Sequence, residues 1–212
     1  MSAARFLAAA TLADARTAHD GLVPPDEETL GAVQHALDAW EDPQAVANAL
    51  MFPDLIAPPL RAPSLVRGLE DEGYLQVAAA VGVGRLPAPV VEEDRVALVD
   101  ALLDLIAGQA GLAAVHAAQA LGGLVDVDDA VEIVVLLGHP DDRVRRRLQT
   151  IMIVLLGGDR LDRLLDDRDL VRPDDAEIAR DQLAEDEIDL AAAVSPLAPE
   201  PAPPSLTEYD GS

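Results

Sequence analysis

Apolar residues recur at helical spacing through most of the chain. Over residues 90–106, Val91, Leu98, Val99, Leu102, Leu103 and Ile106 fall on one stripe, while Glu92, Glu93, Asp100 and Asp104 occupy the other face. Leu30, Val33, Leu37 and Trp40 follow at intervals of three, four and three residues. That spacing predicts a helix opening at Asp26, with Glu27 and Glu28 at the positive end of its dipole. In "EDPQAVANALMF", Asp42 is placed as N-cap and Pro43 at the first helical position. Residues 2–18 read as one amphipathic helix, because Asp14 and Arg16 interrupt what would otherwise resemble a secretory leader.

Prolines punctuate this pattern. The stretch "PDLIAPPLRAP", residues 53–63, holds four prolines, so it is neither a helix interior nor a central strand. It marks a possible sub-boundary within a helical domain spanning residues 1–195. "SLVRGLEDEGYLQVAAAVGVG" is helical but weakened by Gly68 and Gly73. "GLAAVHAAQALGGLV" is small and almost wholly apolar, as a central helix would be. Residues 196–212 carry five prolines and few groups to bury, the composition of a flexible, disordered tail.

The stretch "LLGHPDDRVRRRLQTIMIVLLGG", residues 136–158, discriminates between fold classes. "VEIVVLLG" and "TIMIVLLGG" resemble buried parallel strands, yet only the twelve residues 138–149 separate Leu137 from Thr150. That is at the lower limit for a crossover that includes its helix. A helix over Asp141–Leu156 accounts for more. Val144, Leu148, Ile151 and Leu155 recur at four, three and four residues, and Asp141–Arg145 and Asp142–Arg146 are acid-before-base pairs. Pro140 suits the first turn, and Gly157 and Gly158 supply the stop.

Over residues 126–158 the chain resembles a HEAT-type repeat: a helix ending in Leu-Leu, a proline turn with acids, then Val-Arg opening a second helix. Pro140, Asp141, Val144 and Arg145 carry the resemblance, and Asp42, Pro43 and Val46 echo it. Where many such repeats place an aspartate before the turn proline, this chain has His139. The resemblance implies an all-α, irregular α-solenoid, a fold that usually serves as a protein-binding scaffold.

Composition narrows the chemistry. Half of the 212 residues are hydrophobic but only 2% are aromatic, so the core is built of Ala, Val, Leu and Ile. Acids outnumber bases 39 to 15, every base is arginine, and the net charge of −24 repels phosphate backbones and anionic membrane surfaces. With no cysteine, disulfides, thiolate metal sites and cysteine catalysis are excluded. With residues 2–18 read as a helix rather than a leader, a cytoplasmic location is the expectation. No uninterrupted apolar run reaches membrane-spanning length.

Few residues qualify as chemistry. Arg143, Arg146 and Arg147 are the candidate partner-binding residues, set against the plainer reading of a solvated, ion-paired helix face. None of His19, His35, His116 and His139 lies at metal-ligand spacing from another, and His116 is the one expected in the core. "DVDD" at 126–129 lacks the glycine and glutamate of a calcium loop, and "GVGR" lacks the later glycine of a dinucleotide loop. No catalytic residue, metal ligand or cofactor is assigned. The expected function is a non-catalytic interaction scaffold whose partner is another protein or a second copy of the chain, with neither nucleic acid nor membrane. The alternatives are a viral or capsid-associated structural protein and an α-helical metal-dependent enzyme using the Asp-rich segment 166–175.

Overall fold

The computed structural model describes residues 2–190; the tail assigned to residues 196–212 lies outside them. Among the described residues there are twelve α-helices, three short 3-10 turns and no strand. Residues 136–138 are a 3-10 turn and Asp142–Leu156 an α-helix, so the parallel-strand alternative falls. No helix among the described residues is long and apolar enough to cross a membrane.

The helices are α1 (Ala3–Leu7), α2 (Leu12–His19), α3 (Glu27–Ala39), α4 (Pro43–Met51), α5 (Arg61–Leu69), α6 (Tyr74–Val83), α7 (Glu92–Gly108), α8 (Leu112–Leu121), α9 (Ala130–Val135), α10 (Asp142–Leu156), α11 (Gly158–Asp166) and α12 (Pro173–Glu185). They form two compact units. Among the described residues the first contains 2–125 and 139–148, and the second contains 126–138 and 149–190.

In the first unit, α6 is the central element. It packs on α4, α5 and α8, while α5 also packs on α7 and α7 on α8. Helices α4, α6 and α8 thus form one layer, and α5 and α7 a second. Alternate helices lie side by side within each layer. Small residues permit the approach: a Cβ on Gly82 would overlap the Leu50 carbonyl oxygen and stand 2.8 Å from Leu65 Cδ2. A Cβ on Gly68 would stand 2.7 Å from Leu50 Cδ1 and 2.9 Å from the Ala79 Cβ. The glycines that weaken helix propensity here are the ones that let α4 meet α5 and α6.

Several expectations are corrected in detail. The single helix expected over residues 2–18 is broken at 8–11. Thr11 caps α2 by accepting the Asp14 N–H at 3.1 Å. Asn48, fully buried on α4, places its amide nitrogen within 3.2 Å of the Phe6, Leu7 and Ala9 carbonyls. The break is thus held by a donor about forty residues away in sequence. Val91 is not on the buried stripe. It precedes α7 as its N-cap and is 69% exposed, and the stripe is completed by Leu105. The proline-rich residues 53–63 lie within the first unit, where they form 3-10 turns at Pro53–Leu55 and Pro58–Leu60 with Leu55 and Ile56 buried. Asp26 and Asp42 cap α3 and α4 as expected, accepting N–H groups of Thr29 and of Gln44 and Ala45.

In the second unit α12 packs on α9, on the 3-10 turn Leu136–Gly138 and on α11. Its buried residues Ala176, Ala179 and Leu183 recur at three and four residues, a single inward stripe. Gln149 of α10 donates to Asp186 Oδ2 at 2.9 Å. Arg180 of α12 reaches α11, pairing with Asp166 at 2.8 Å and Asp162 at 3.3 Å.

Candidate functional site

Successive residues of a helix turn by about 100°. The stripe of α10 that faces inward is Val144, Leu148, Ile151 and Leu155, all buried. Four consecutive-looking arginines therefore cannot make one patch. Arg145 and Arg147 flank the stripe on opposite sides, Arg146 lies opposite it, and Arg143 falls beyond Arg147. Arg143, Arg146 and Arg147 are exposed. Arg145 is only 7% exposed, pairing with Asp142 at 3.0 Å and donating to the His139 carbonyl at 3.2 Å. Arg143 is bound to Asp141 through Nε at 3.1 Å and its terminal nitrogen at 2.8 Å.

Ahead of α10, residues 139–141 meet the turn between α7 and α8. His139 is 7% exposed, with Nε2 at 3.0 Å from the Gln109 carbonyl, while Nδ1 accepts the Asp141 N–H at 3.0 Å. A carbonyl only accepts and a backbone N–H only donates, so the ring is the Nε2–H tautomer. Asp141 is held well below the usual carboxylate range, chiefly by the Arg143 side chain. Burial opposes this, and the backbone N–H groups of Arg143 and Gly111 reinforce it. His139 and Asp141 together tie the turn before α10 to the turn between α7 and α8.

A second joint of this kind lies at the start of the unit. Trp40, the left-handed C-cap of α3, donates Nε1–H to Asp71 Oδ2 at 2.7 Å, and the Arg67 guanidinium sits 4.0 Å over its ring. Asp71 is pulled below its ordinary value, first by the Trp40 bond and then by the Glu72 N–H. Here the turn between α3 and α4 is fastened to the turn between α5 and α6.

The opposite, loop-built edge of the unit holds a groove of about 510 Å³ lined by residues of the 83–90 connection, by residues 119–124, by Arg95 and by Arg147. Arg95 is gripped by Glu92 through two bonds of 2.9 and 3.0 Å and donates to the Leu124 carbonyl at 3.3 Å. Of the sequence-predicted residues, Arg147 alone lines this groove, while Arg143 and Arg146 do not. A smaller groove of about 310 Å³ in the second unit is lined by Asp166, Glu177 and Asp181 together with Arg168 and Arg180. Among the described residues no group of three histidines or acids is placed to hold a metal ion.

The histidines are distributed differently from expectation. His116 is half-exposed on α8, where it bonds to Gln119 Oε1 at 3.1 Å, because the inward residues of that helix are Ala113, Ala114, Ala117, Ala118 and Leu121. His139 is the buried one. His19 Nε2 lies 2.8 Å from Asp54 Oδ2 and its ring stacks 4.5 Å from Phe52, fastening α2 to the 3-10 turn at Pro53–Leu55. Arg85 lies 5.0 Å from the same Phe52 ring and donates to the Met51 carbonyl at 2.8 Å. Its basicity is lowered, first by burial. None of these contacts was legible from local spacing.

Comparison of the chain with protein-family models, curated proteins and solved structures finds no match.

Proposed function

We propose that this chain is an irregular HEAT-like α-solenoid acting as a non-catalytic, cytoplasmic scaffold for another protein. The observation that carries the reading is the order of packing: α4, α6 and α8 line up in one layer and α5 and α7 in the other. Stacked helical hairpins have this arrangement, in which each repeat contacts its neighbours along a quasi-linear array. Turn-to-turn bonding adds support. The Trp40–Asp71 bond and the His139–Gln109 bond each join alternate interhelical turns, as would lie at one edge of a stack of hairpins, so His139 takes the joining role that the family's usual aspartate would have.

Arg143, Arg146 and Arg147 are the proposed partner-facing residues. The test is affinity purification from the native host, comparing the natural chain with a variant in which all three are replaced by glutamate. A defined partner retained by the first and lost by the second is the expected result. Equal recovery from both would remove the arginines from the interface. Recovery of the chain alone, as rings or large particles on size-exclusion chromatography with light scattering, would replace the scaffold reading by the structural-subunit one.

A further inference from the structure

From the 510 Å³ groove of the first unit we infer a binding site for an acidic, extended peptide segment of a partner protein, with Arg147 as the principal anchor. The inference rests on the scaffold reading and adds to it the chemistry of what is bound. Charge complementarity carries it. The chain has 39 acids against 15 arginines, yet both charged side chains lining this groove are arginines. The groove of the second unit shows the contrast, since acids contribute three of its five charged side chains.

The two arginines are prepared differently. The Arg95 fork is already paired with Glu92 and bonded to the Leu124 carbonyl, so it walls the groove as an ion pair and leaves the net positive charge to Arg147. Arg147 is exposed on the margin of the buried α10 stripe, where its guanidinium can pair bidentately with a carboxylate. The remaining walls are mixed: Val83, Leu86, Val90 and Leu124 supply aliphatic surface, and Gln119 and exposed main chain supply polar groups. Gly84, Gly122 and Gly123 are exposed on the lining, and beside Gly123 a Cβ would meet only the Ala120 carbonyl oxygen, room for a second main chain to approach there. The volume lies within the range of ligand pockets. Together the walls suit a carboxylate flanked by aliphatic side chains.

Two substitutions separate charge from shape. Arg147→Ala removes the anchor at an exposed position. Gly123→Phe obstructs the groove without changing charge, and its Cβ would meet only the Ala120 carbonyl oxygen, at 3.7 Å. The natural full-length chain is panned against a phage-displayed library of random dodecapeptides, and enriched peptides are synthesised and titrated by fluorescence anisotropy. Enriched peptides are expected to carry Asp or Glu beside Leu, Val or Ile. Their affinity should fall about tenfold or more with Arg147→Ala, fall similarly with Gly123→Phe, and weaken as salt rises. Circular dichroism melting confirms that both variants remain folded. No enrichment, enrichment of peptides without acids, or affinity indifferent to both substitutions overturns the inference. A peptide bound through Arg143 and Arg146 and indifferent to Gly123→Phe sinks the groove while the scaffold reading stands. Acidic peptides held in the groove, with no partner recovered from the native host, do the reverse.

Discussion

Gly31 and Gly82 are both helical glycines of the first unit, yet alanine should move stability in opposite directions at the two. At Gly31, in the exposed middle of α3, a new Cβ meets nothing within 4 Å. The substitution acts on backbone entropy and helix propensity alone and should stabilise by about 0.5–1 kcal/mol. At Gly82 the Cβ would overlap the Leu50 carbonyl oxygen, at 3.0 Å from the carbonyl carbon, with Leu65 Cδ2 at 2.8 Å behind it. The obstacle is main chain, so no rotamer change relieves it, and α4 and α6 must part by on the order of 1 Å to recover a normal separation. Both helices are almost wholly buried, with Ala45 to Met51 on α4 and Ala78, Ala79 and Ala80 on α6 all in the core. Overpacking typically costs about 1–3 kcal/mol and sits at or above the upper end when backbone must move. Subtracting about 1 kcal/mol of helix propensity leaves a net loss of at least about 2 kcal/mol. For a chain of this length that is a fall in Tm of about 4–8 °C, against a rise of about 1–4 °C for Gly31→Ala. Urea unfolding followed by far-ultraviolet circular dichroism and by the fluorescence of Trp40, the single tryptophan, measures both. An unchanged denaturant slope shows that stability rather than compactness has moved. If Gly82→Ala were as stable as the natural chain, α4 and α6 could not meet backbone to backbone, and the two-layer arrangement would be wrong.

Three further outcomes are expected. Leu148→Ala, at a fully buried position, should cost about 2–5 kcal/mol in urea unfolding, whereas Arg147→Ala at the exposed margin should cost at most about 0.5 kcal/mol; near-equal effects would misplace the inward face of α10. Asn48→Leu strips the Phe6, Leu7 and Ala9 carbonyls of their shared donor and should cost about 2–3 kcal/mol, with loss of amide-exchange protection in α1 preceding global unfolding; full protection of α1 in that variant would contradict the role given to Asn48. Asp141 has its folded-state carboxyl held below the ordinary value, chiefly by Arg143, so its contribution is fully present above an ordinary carboxylate pKa of about 4 and is lost as pH falls below it. The stability gap between the natural chain and Asp141→Asn should therefore narrow from pH 6 to pH 3, and a gap that widened on acidification would reverse the sign of the argument.

Much of the helical layout is written locally. Asp26 and Asp42 announce helix starts because a side-chain acceptor two or three residues before orphan N–H groups needs nothing from the rest of the fold. The stripes of α7 and α10 are legible because burial of one face imposes a period of 3.6 residues on the sequence itself. What periodicity cannot carry is the identity of the neighbour that covers a face or completes a hydrogen bond. The break between α1 and α2 depends on Asn48, and the burial of His139 on a carbonyl thirty residues earlier, at Gln109. Val91 has the right spacing for the stripe but lies before the first turn of α7, where no helix faces it. Among the arginines of α10, composition groups Arg143, Arg145, Arg146 and Arg147 as one cluster. Rotation of about 100° per residue then sends them to different surroundings: one is buried against the His139 turn, and another is set at the rim of a groove whose remaining walls come from residues 83–95 and 119–124. Local sequence sets which residues can cap, turn or face inward. Only packing between elements far apart in the chain decides which polar groups are paired and where a groove is left open.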